Sequence, residues 1–135
     1  MDRLKHKISS ELDIHFMKSE LDQFLVPYNL TENCRIKLNT VLSELAYNQL
    51  KYASKGTIEI SFFKDAARKG IKIKATDKGP GIQNLDLALQ DNYSTSGTLG
   101  LGLPGVKRLV DEFEIKSVIN KGTTLEVIVW IQECR

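Results

Sequence analysis

Apolar residues recur along this 135-residue chain with two periods, and the changes from one period to the other predict its order of elements. An alternating stretch over residues 4–9 predicts an edge strand. Helical spacing follows in two segments, which begin at Ser10 and Thr31 and end before Pro27 and Gly56. The first part of the chain is therefore expected to form a strand followed by two helices.

The rest of the chain has mainly the strand period. Two β-rich segments joined by the polar loop 64–70 predict an antiparallel hairpin, and a glycine run then opens a third helix before two more strands. The predicted segments are strands 57–63 and 71–77, a helix through 104–110, and strands 113–119 and 124–131. This order predicts an α+β fold, a two-layer α/β sandwich with a mixed β-sheet and its helices on one face. With 41% hydrophobic residues, the chain 1–135 can furnish one core and is expected to be a single domain.

Charge and composition exclude several classes of function. Nineteen basic and seventeen acidic residues give a net charge of +2, which is too balanced for an electrostatic nucleic-acid binder. The start of the chain lacks the apolar core of a signal peptide, and the longest fully apolar run, 127–131, is too short to span a bilayer. We therefore expect a soluble, cytoplasmic protein with no nucleic-acid or membrane partner. Cys34 and Cys134 form no metal-ligand or redox motif and are expected to be reduced thiols.

The second predicted helix carries an acid and an amide one turn apart. At about 100° per residue, Glu44, Asn48 and Lys51 share one narrow stripe opposite the apolar face. Such a pair is often only part of a solvated surface, but the motifs downstream favour a functional role. The carbonyl of Asn48 suits Mg²⁺ beside phosphate oxygens, and Glu44 can act as a base near a γ-phosphate.

An acid followed by two glycines stands at the end of a predicted strand. By itself this pattern indicates only a turn. In a nucleotide site, Asp77 would accept a hydrogen bond from the exocyclic amine of adenine, while Gly79 and Gly81 let the backbone approach the flat ring. Ile82 belongs to the same motif, and Thr123, near the start of the last strand, can hold a hydroxyl beneath the same base.

A glycine run precedes the third predicted helix. Its spacing matches the dinucleotide-binding fingerprint, but the buried strand that should come before the glycines is missing, so a Rossmann site is disfavoured. Amides at a helix N-terminus still suit phosphate, and the polar segment 91–98 is expected to be a mobile lid over the β- and γ-phosphates, with a disordered surface loop as the alternative. The candidate phosphate contacts are Ser96, Gly97, Thr98, Gly100, Leu101 and Gly102.

Together, the three motifs resemble the N, G1 and G2 boxes of the GHKL superfamily of ATPases and kinases. The similarity covers nearly the whole chain, and residues 93–113 are most similar to the serine/threonine switch kinases of the stressosome, in the anti-sigma-factor kinase branch. The resemblance implies that ATP and Mg²⁺ bind, with Glu44 as catalytic base, Asn48 as metal ligand and Asp77 as adenine contact. It also implies phosphorylation of Ser or Thr on STAS-domain scaffold and antagonist proteins, after which the released kinase activates a downstream phosphatase or other output protein.

Two classes of function stay open from the sequence. The first is the partner-switching kinase, which the intact Glu44 favours. The second is a nucleotide-gated binding module, or an anti-sigma factor that sequesters a sigma factor with little kinase activity. Many GHKL proteins have His four residues after the motif asparagine, whereas this chain has Tyr52, which donates a proton less readily near neutral pH.

Overall fold

The computed structural model describes residues 3–83, 89 and 102–134. The helices and strands of the described residues are β1 (Arg3–Ile8), α1 (Glu11–Leu25), α2 (Glu32–Ala53), β2 (Gly56–Asp65), β3 (Arg68–Asp77), α3 (Gly102–Leu109), β4 (Glu112–Val118) and β5 (Gly122–Trp130). Short 3-10 helices, Val26–Tyr28 and Ile131–Glu133, follow α1 and β5. Within the residues that the structure describes, the predicted βααββαββ order is confirmed.

The described strands form one sheet in the order β1-β2-β3-β5-β4, and every pairing is antiparallel. The two-layer α/β sandwich is confirmed, but the expectation of a mixed sheet is wrong. A single crossover helix brings the chain back so that the next strand runs parallel to the first. Here two consecutive helices reverse the chain once more, so β2 lies beside β1 in the opposite direction. Strands β3 and β4 do run in the same direction, but β5 lies between them and pairs with both.

The core lies between the helices and one face of the sheet. On β3, Ile73 and Ala75 are buried, while Lys74 between them is exposed. In the register, Lys74 lies opposite Glu59 of β2 and Glu126 of β5, so opposite charges alternate across the open face. The buried leucines, isoleucine and methionine of the two long helices are Ile14, Met17, Leu21, Leu25, Leu38, Leu42 and Leu45. Each such side chain contributes about 1.5–3 kcal/mol on burial.

Side-chain caps define the start of α1. Ser10 Oγ accepts a hydrogen bond from the backbone N–H of Asp13 at 3.3 Å, as the sequence predicts. The Asp13 carboxylate in turn accepts bonds from the backbone N–H and the hydroxyl of Ser9. The backbone hydrogen bond from Ser9, more than any other contact, lowers the pKa of Asp13 below its ordinary value of 3.8.

The ends of α2 confirm one expectation and correct another. Thr31 Oγ1 accepts a hydrogen bond from the backbone N–H of Cys34 at 3.1 Å, so Thr31 is the N-cap. The helix ends at Ala53 because Ser54 adopts a left-handed conformation, with φ of 69°. The predicted extent of the helix to Ala53 is confirmed, but Ser54 rather than Gly56 closes it, since Gly56 is the first residue of β2.

The hairpin between β2 and β3 is tighter than predicted. Pairing continues to Asp65 opposite Arg68, so only Ala66 and Ala67 form the turn instead of the whole loop 64–70. Ala66 has φ of 55°, as a two-residue hairpin turn requires.

The described helices include none with the length and apolar character needed to cross a membrane.

The expectation of two reduced thiols is wrong in this structure. Cys34 and Cys134 form a disulfide although they are 100 positions apart, and their Cα atoms lie 5.2 Å apart. Strand β5 delivers the end of the chain to the first turn of α2, where both cysteines are buried. Sequence spacing could not show this pairing, because it depends on how the sheet and helix pack.

Candidate functional site

A row of polar side chains continues an apolar row of the sheet at one end of the core. Along β3, every second residue up to Ala75 faces the helices, and Asp77 takes the next place in that row. Thr123 of β5 lies directly opposite Asp77, and Ser117 of β4 lies opposite Thr123. Three polar side chains from three strands therefore meet where the apolar core ends.

The carboxylate of Asp77 organises the loop that follows β3. Its Oδ1 accepts a hydrogen bond from the backbone N–H of Gly79 at 2.9 Å, which forms an Asx turn. Asp77 is half-buried, and Oδ2 remains as an acceptor. The same side chain can therefore hold the loop and accept a hydrogen bond from a ligand.

Three glycines around Asp77 are in close contact with backbone or with α2. A Cβ on Gly79 would lie 2.5 Å from the Cβ of Ala53, and a Cβ on Gly81 would lie 2.5 Å from the carbonyl oxygen of Val118. Gly122, with φ of 132°, would place its Cβ against the carbonyl oxygen of Asp77. The loop after β3 therefore packs tightly against the end of α2 and against the turn between β4 and β5, where no side chain would fit.

A hydroxyl pair supports the far side of this loop. Ser117 Oγ accepts a hydrogen bond from the backbone N–H of Ile82 at 2.6 Å and lies 2.9 Å from Thr123 Oγ1. Thr123 is buried. Ser117 was not among the predicted residues. The available signal was its position in the alternating row after Phe113 and Ile115, where a hydroxyl stands in place of an expected apolar side chain.

The polar stripe of α2 meets the first residue of α3. Glu44 Oε2 accepts a hydrogen bond from the backbone N–H of Gly102 at 3.4 Å, so its carboxylate lies at the positive end of α3. Gly102 has φ of 67°, a conformation that favours glycine. One turn after Glu44, Asn48 is half-buried, and Lys51 is exposed with Nζ 5.3 Å from the ring centre of Tyr52.

Gln49 is a positioning residue that sequence reasoning missed. Its Nε2 donates to the carbonyl oxygens of Thr57 and Thr76, both at 3.1 Å, so it ties α2 to the paired ends of β2 and β3. Gln49 is only 2% exposed, and within the described part of the chain its Oε1 has no hydrogen-bond partner. A polar residue in the apolar stripe of α2, after Leu38, Leu42 and Leu45, was the available signal.

The structure brings the predicted residues into two groups. The first is formed by Asp77, Gly79, Gly81, Ile82 and Thr123, and the second by Glu44, Asn48, Lys51 and Gly102. Ala53, at the end of α2, contacts Gly79 and so joins the groups. The predicted contacts Ser96, Gly97, Thr98, Gly100 and Leu101, and the lid 91–98, lie outside the described residues.

The residues present fit a purine nucleotide and a magnesium ion. The half-buried carboxylate of Asp77 is a hydrogen-bond acceptor that suits the amine edge of adenine. Within residues 3–83, 89 and 102–134, no group of three or more His, Cys, Asp or Glu side chains could hold a metal. Mg²⁺ bound here would be held by the amide oxygen of Asn48 together with phosphate oxygens of the nucleotide.

Known proteins share both the sequence pattern and the fold. Residues 33–133 match the family described as histidine kinase-, DNA gyrase B- and HSP90-like ATPases. The chain is 49% identical over 96 residues to the serine/threonine-protein kinase RsbT of Bacillus subtilis (strain 168), which covers 71% of this chain and 72% of RsbT. It is 28% identical over 120 residues to the anti-sigma F factor of Anoxybacillus flavithermus, which covers 84% and 81%.

Solved structures agree on the fold. The RsbU and RsbW domains of a Mycobacterium tuberculosis protein superpose with a TM-score of 0.68 at 13% identity, over 96% of this chain and 32% of that chain. The catalytic domain of the histidine kinase ThkA gives a TM-score of 0.54 at 17% identity, over 98% of this chain and 99% of that one. The match over residues 33–133 and the identity with a serine/threonine-protein kinase agree with this fold. This chain therefore belongs to the GHKL family of histidine kinase-, DNA gyrase B- and HSP90-like ATPases.

Proposed function

We propose that this protein is a serine/threonine kinase that transfers the γ-phosphoryl group of ATP to a hydroxyl on a partner protein. The observation that supports this most directly is the hydrogen bond between Glu44 and Gly102. It joins a carboxylate that can accept a proton to the glycine that begins α3, where phosphate is favoured. The 49% identity with a serine/threonine-protein kinase supports the same reaction.

In this proposal, each described residue has a separate task. Asp77 accepts a hydrogen bond from the exocyclic amine of adenine, and Thr123 supports the loop beneath the base. Gly79 and Gly81 shape the loop beside the base, because only glycine lets this loop pack directly on Ala53 and Val118, and Ile82 supplies an apolar contact. The adenine requirement follows from Asp77, because guanine presents a carbonyl oxygen where adenine presents an amine.

The transfer step uses the second group of residues. Glu44 accepts the proton of the Ser or Thr hydroxyl while the hydroxyl oxygen bonds to the γ-phosphorus. The bond between the γ-phosphorus and the oxygen that bridges it to the β-phosphate breaks, which releases ADP. Asn48 holds Mg²⁺, and Lys51 contacts the nucleotide. When bound, Mg²⁺ neutralises charge on the phosphate oxygens. The phosphate contacts assigned to Ser96, Gly97, Thr98, Gly100 and Leu101 remain proposals from sequence.

We propose STAS-domain scaffold and antagonist proteins of a stressosome as the phosphorylated partners, and a phosphatase or other output protein as the target of the released kinase. The relative RsbT is named a serine/threonine-protein kinase, which supports a protein hydroxyl as acceptor. We place this cycle in the cytoplasm of a bacterium and assign it to one domain, residues 1–135. In a reducing cytoplasm, Cys34 and Cys134 would be thiols, and the disulfide would form on oxidation.

The test is a transfer assay with labelled ATP, Mg²⁺ and a purified STAS-domain protein from the same organism. We expect label on Ser or Thr of the STAS-domain protein with wild-type kinase, and little or none with Glu44→Gln. ATP binding, measured by calorimetry, serves as the control that the site is formed in both. Wild-type protein that binds ATP but transfers no label to the STAS-domain protein would overturn the proposal.

A second candidate is an anti-sigma factor or nucleotide-gated binding module. It is favoured by the 28% identity with an anti-sigma F factor over most of both chains. That function requires ATP-dependent binding of a sigma factor and tolerates the loss of the base. Two results together would favour this candidate: the wild type transfers no phosphate, and the Glu44→Gln variant still binds a sigma factor in an ATP-dependent manner.

A further inference from the structure

A groove on the outer surface between α1 and α2 ends at the candidate base. Its volume is about 730 Å³, and its lining comes from the C-terminal half of α1, the 3-10 helix after it and the N-terminal half of α2. Along α2 the lining extends from Glu32 to Glu44, a length of about 18 Å at 1.5 Å per residue. That length matches about five residues of extended polypeptide.

The lining of the groove combines apolar and hydrogen-bonding groups. Ile36 is 55% exposed and Val26 is 73% exposed, so both can contact an apolar side chain of a ligand. Thr40 and Ser43 lie on the same wall, between Ile36 and Glu44 along α2, and add hydroxyls. Such a mixture suits a polypeptide, whose backbone needs hydrogen-bond partners along its whole length.

The two walls of the groove are tied together. Asn39 Nδ2 donates to Asp22 Oδ1 at 3.1 Å, which connects α2 to α1 inside the groove. One turn earlier on α1, Lys18 has no ion-pair partner among the residues that the structure describes. A polypeptide with an acidic side chain at this point would supply that partner.

The charges of the groove argue against a phosphate-rich occupant. Its two cations, Lys18 and Arg35, are outnumbered by the carboxylates of Asp22, Glu32 and Glu44. A triphosphate site collects cations or helix N-termini, and α2 presents its side rather than its N-terminus to most of the groove. The nucleotide is therefore expected on the other side of Glu44, next to Gly102.

We propose that this groove binds the segment of the protein substrate that carries the acceptor Ser or Thr, with the hydroxyl at Glu44 and an acidic side chain beside Lys18. The inference rests on the proposed kinase function and extends it, because it says how the hydroxyl reaches the base. Since Glu44 contacts Gly102 and also lines the groove, the segment and the nucleotide approach the carboxylate from different directions.

The first experiment compares steady-state phosphorylation of the STAS-domain protein by the wild type, Ile36→Asp and Phe16→Asp. Phe16 is 56% exposed on α1 and does not line the groove, so it matches Ile36 in exposure and in the change of charge. We expect Ile36→Asp to raise KM for the protein substrate about tenfold or more, with KM for ATP unchanged, and Phe16→Asp to change neither. Lys18→Glu should raise the same KM, and less so at high salt.

The second experiment tests the occupant directly. Benzoylphenylalanine at position 36 is irradiated in the presence of ATP and the STAS-domain protein, with position 16 as the matched control. We expect a cross-link from position 36 to a peptide within about five residues of the phosphorylated residue, the reach of the groove. Position 16 should give no such product.

The outcomes separate this inference from the proposed function. If the wild type transfers no phosphate, both are overturned. If it transfers phosphate but Ile36→Asp leaves KM for the protein unchanged, only the groove assignment is wrong. A change in KM for ATP would assign the groove to the nucleotide, and a cross-link to a second copy of this chain would make it a self-association surface; either result overturns the inference.

Discussion

Asp77 and Thr123 lie directly opposite each other where β3 pairs with β5, at the end of the apolar rows that face the helices. The position of this pair explains why polar side chains gather at this end of the sheet. Farther along the same rows, the helices cover the sheet, so apolar residues are buried. At this end, half-buried Asp77 and buried Thr123 replace them, and Ser117 extends the polar row to β4.

Asp77→Asn tests the adenine contact. An amide at this position can keep the bond from the Gly79 N–H through its carbonyl oxygen, but its second atom becomes a donor instead of an acceptor. We expect the affinity for ATP to fall by about 1 to 3 kcal/mol, with the fold retained. Calorimetry measures the affinity, and circular dichroism checks the fold. An unchanged affinity in a folded variant removes Asp77 from the site.

Glu44→Gln tests the base. Gln keeps the size and the acceptor for the N–H of Gly102 but cannot take up a proton. Phosphotransfer to the STAS-domain protein should therefore fall about 10²- to 10⁴-fold while ATP still binds. A wild-type rate of transfer in this variant would mean that another group accepts the proton.

Asn48→Ala is the companion variant for the metal ligand, one turn from Glu44. We expect it to weaken ATP binding in the presence of Mg²⁺ and to leave the affinity measured in EDTA nearly unchanged, because only the metal-dependent part uses the amide oxygen. The measurement is a pair of titrations with and without Mg²⁺. Equal losses in both titrations would argue for a structural role of Asn48.

Gly79→Ala tests the contact between the Asp77 loop and α2. The new methyl group would lie 2.5 Å from the Cβ of Ala53, so the loop or the helix end must move, at a cost of about 1–3 kcal/mol. We expect lower thermal stability and weaker ATP binding. Adding Ala53→Gly removes the opposing methyl group and should restore part of both losses. If the double variant is no more stable and binds ATP no more tightly than Gly79→Ala, the strain comes from a contact other than the one with Ala53.

Reduction of the disulfide between Cys34 and Cys134 should lower the free energy of unfolding. The bridge closes a loop of about 100 residues, for which chain entropy predicts about 4–5 kcal/mol and natural disulfides typically give about 2–5 kcal/mol. Denaturant unfolding with and without dithiothreitol measures the difference in the wild type. Cys134→Ser is the control, since its stability should not respond to the reductant. If the reductant lowers the free energy of unfolding of Cys134→Ser by the same amount, the effect does not come from the disulfide.

Asp13 predicts a dependence of stability on pH. Because its pKa is lowered in the folded protein, the folded state favours the carboxylate, and this contribution is present above the ordinary pKa of 3.8. It is lost as the pH falls through the folded-state pKa. Asp13→Asn should therefore be less stable than the wild type near neutral pH, with the difference shrinking in acid. A constant difference across the range would assign the effect to something other than ionisation.

The sequence by itself determined the order and type of the elements. Helical and alternating periods are local properties, so they identify the three α-helices and five strands of the described residues with small errors at the ends. The helix starts at Ser10 and Thr31 could be predicted because a side-chain cap is made within four residues of the chain. The hypothesis of a nucleotide site at Glu44, Asp77 and Gly102 also came from local information, since each motif depends on spacing within one short segment.

The tertiary structure decided the features that join distant segments. The antiparallel sheet depends on β5 entering between β3 and β4, and the disulfide depends on β5 carrying Cys134 to the start of α2. Ser117 and Gln49 gave only weak signals in the sequence, because their hydrogen-bond partners lie 35 and 8 or 27 positions away. Hydrogen bonds and disulfides act over a few ångströms of space, and the distance in space between distant residues is set by packing rather than by their separation along the chain.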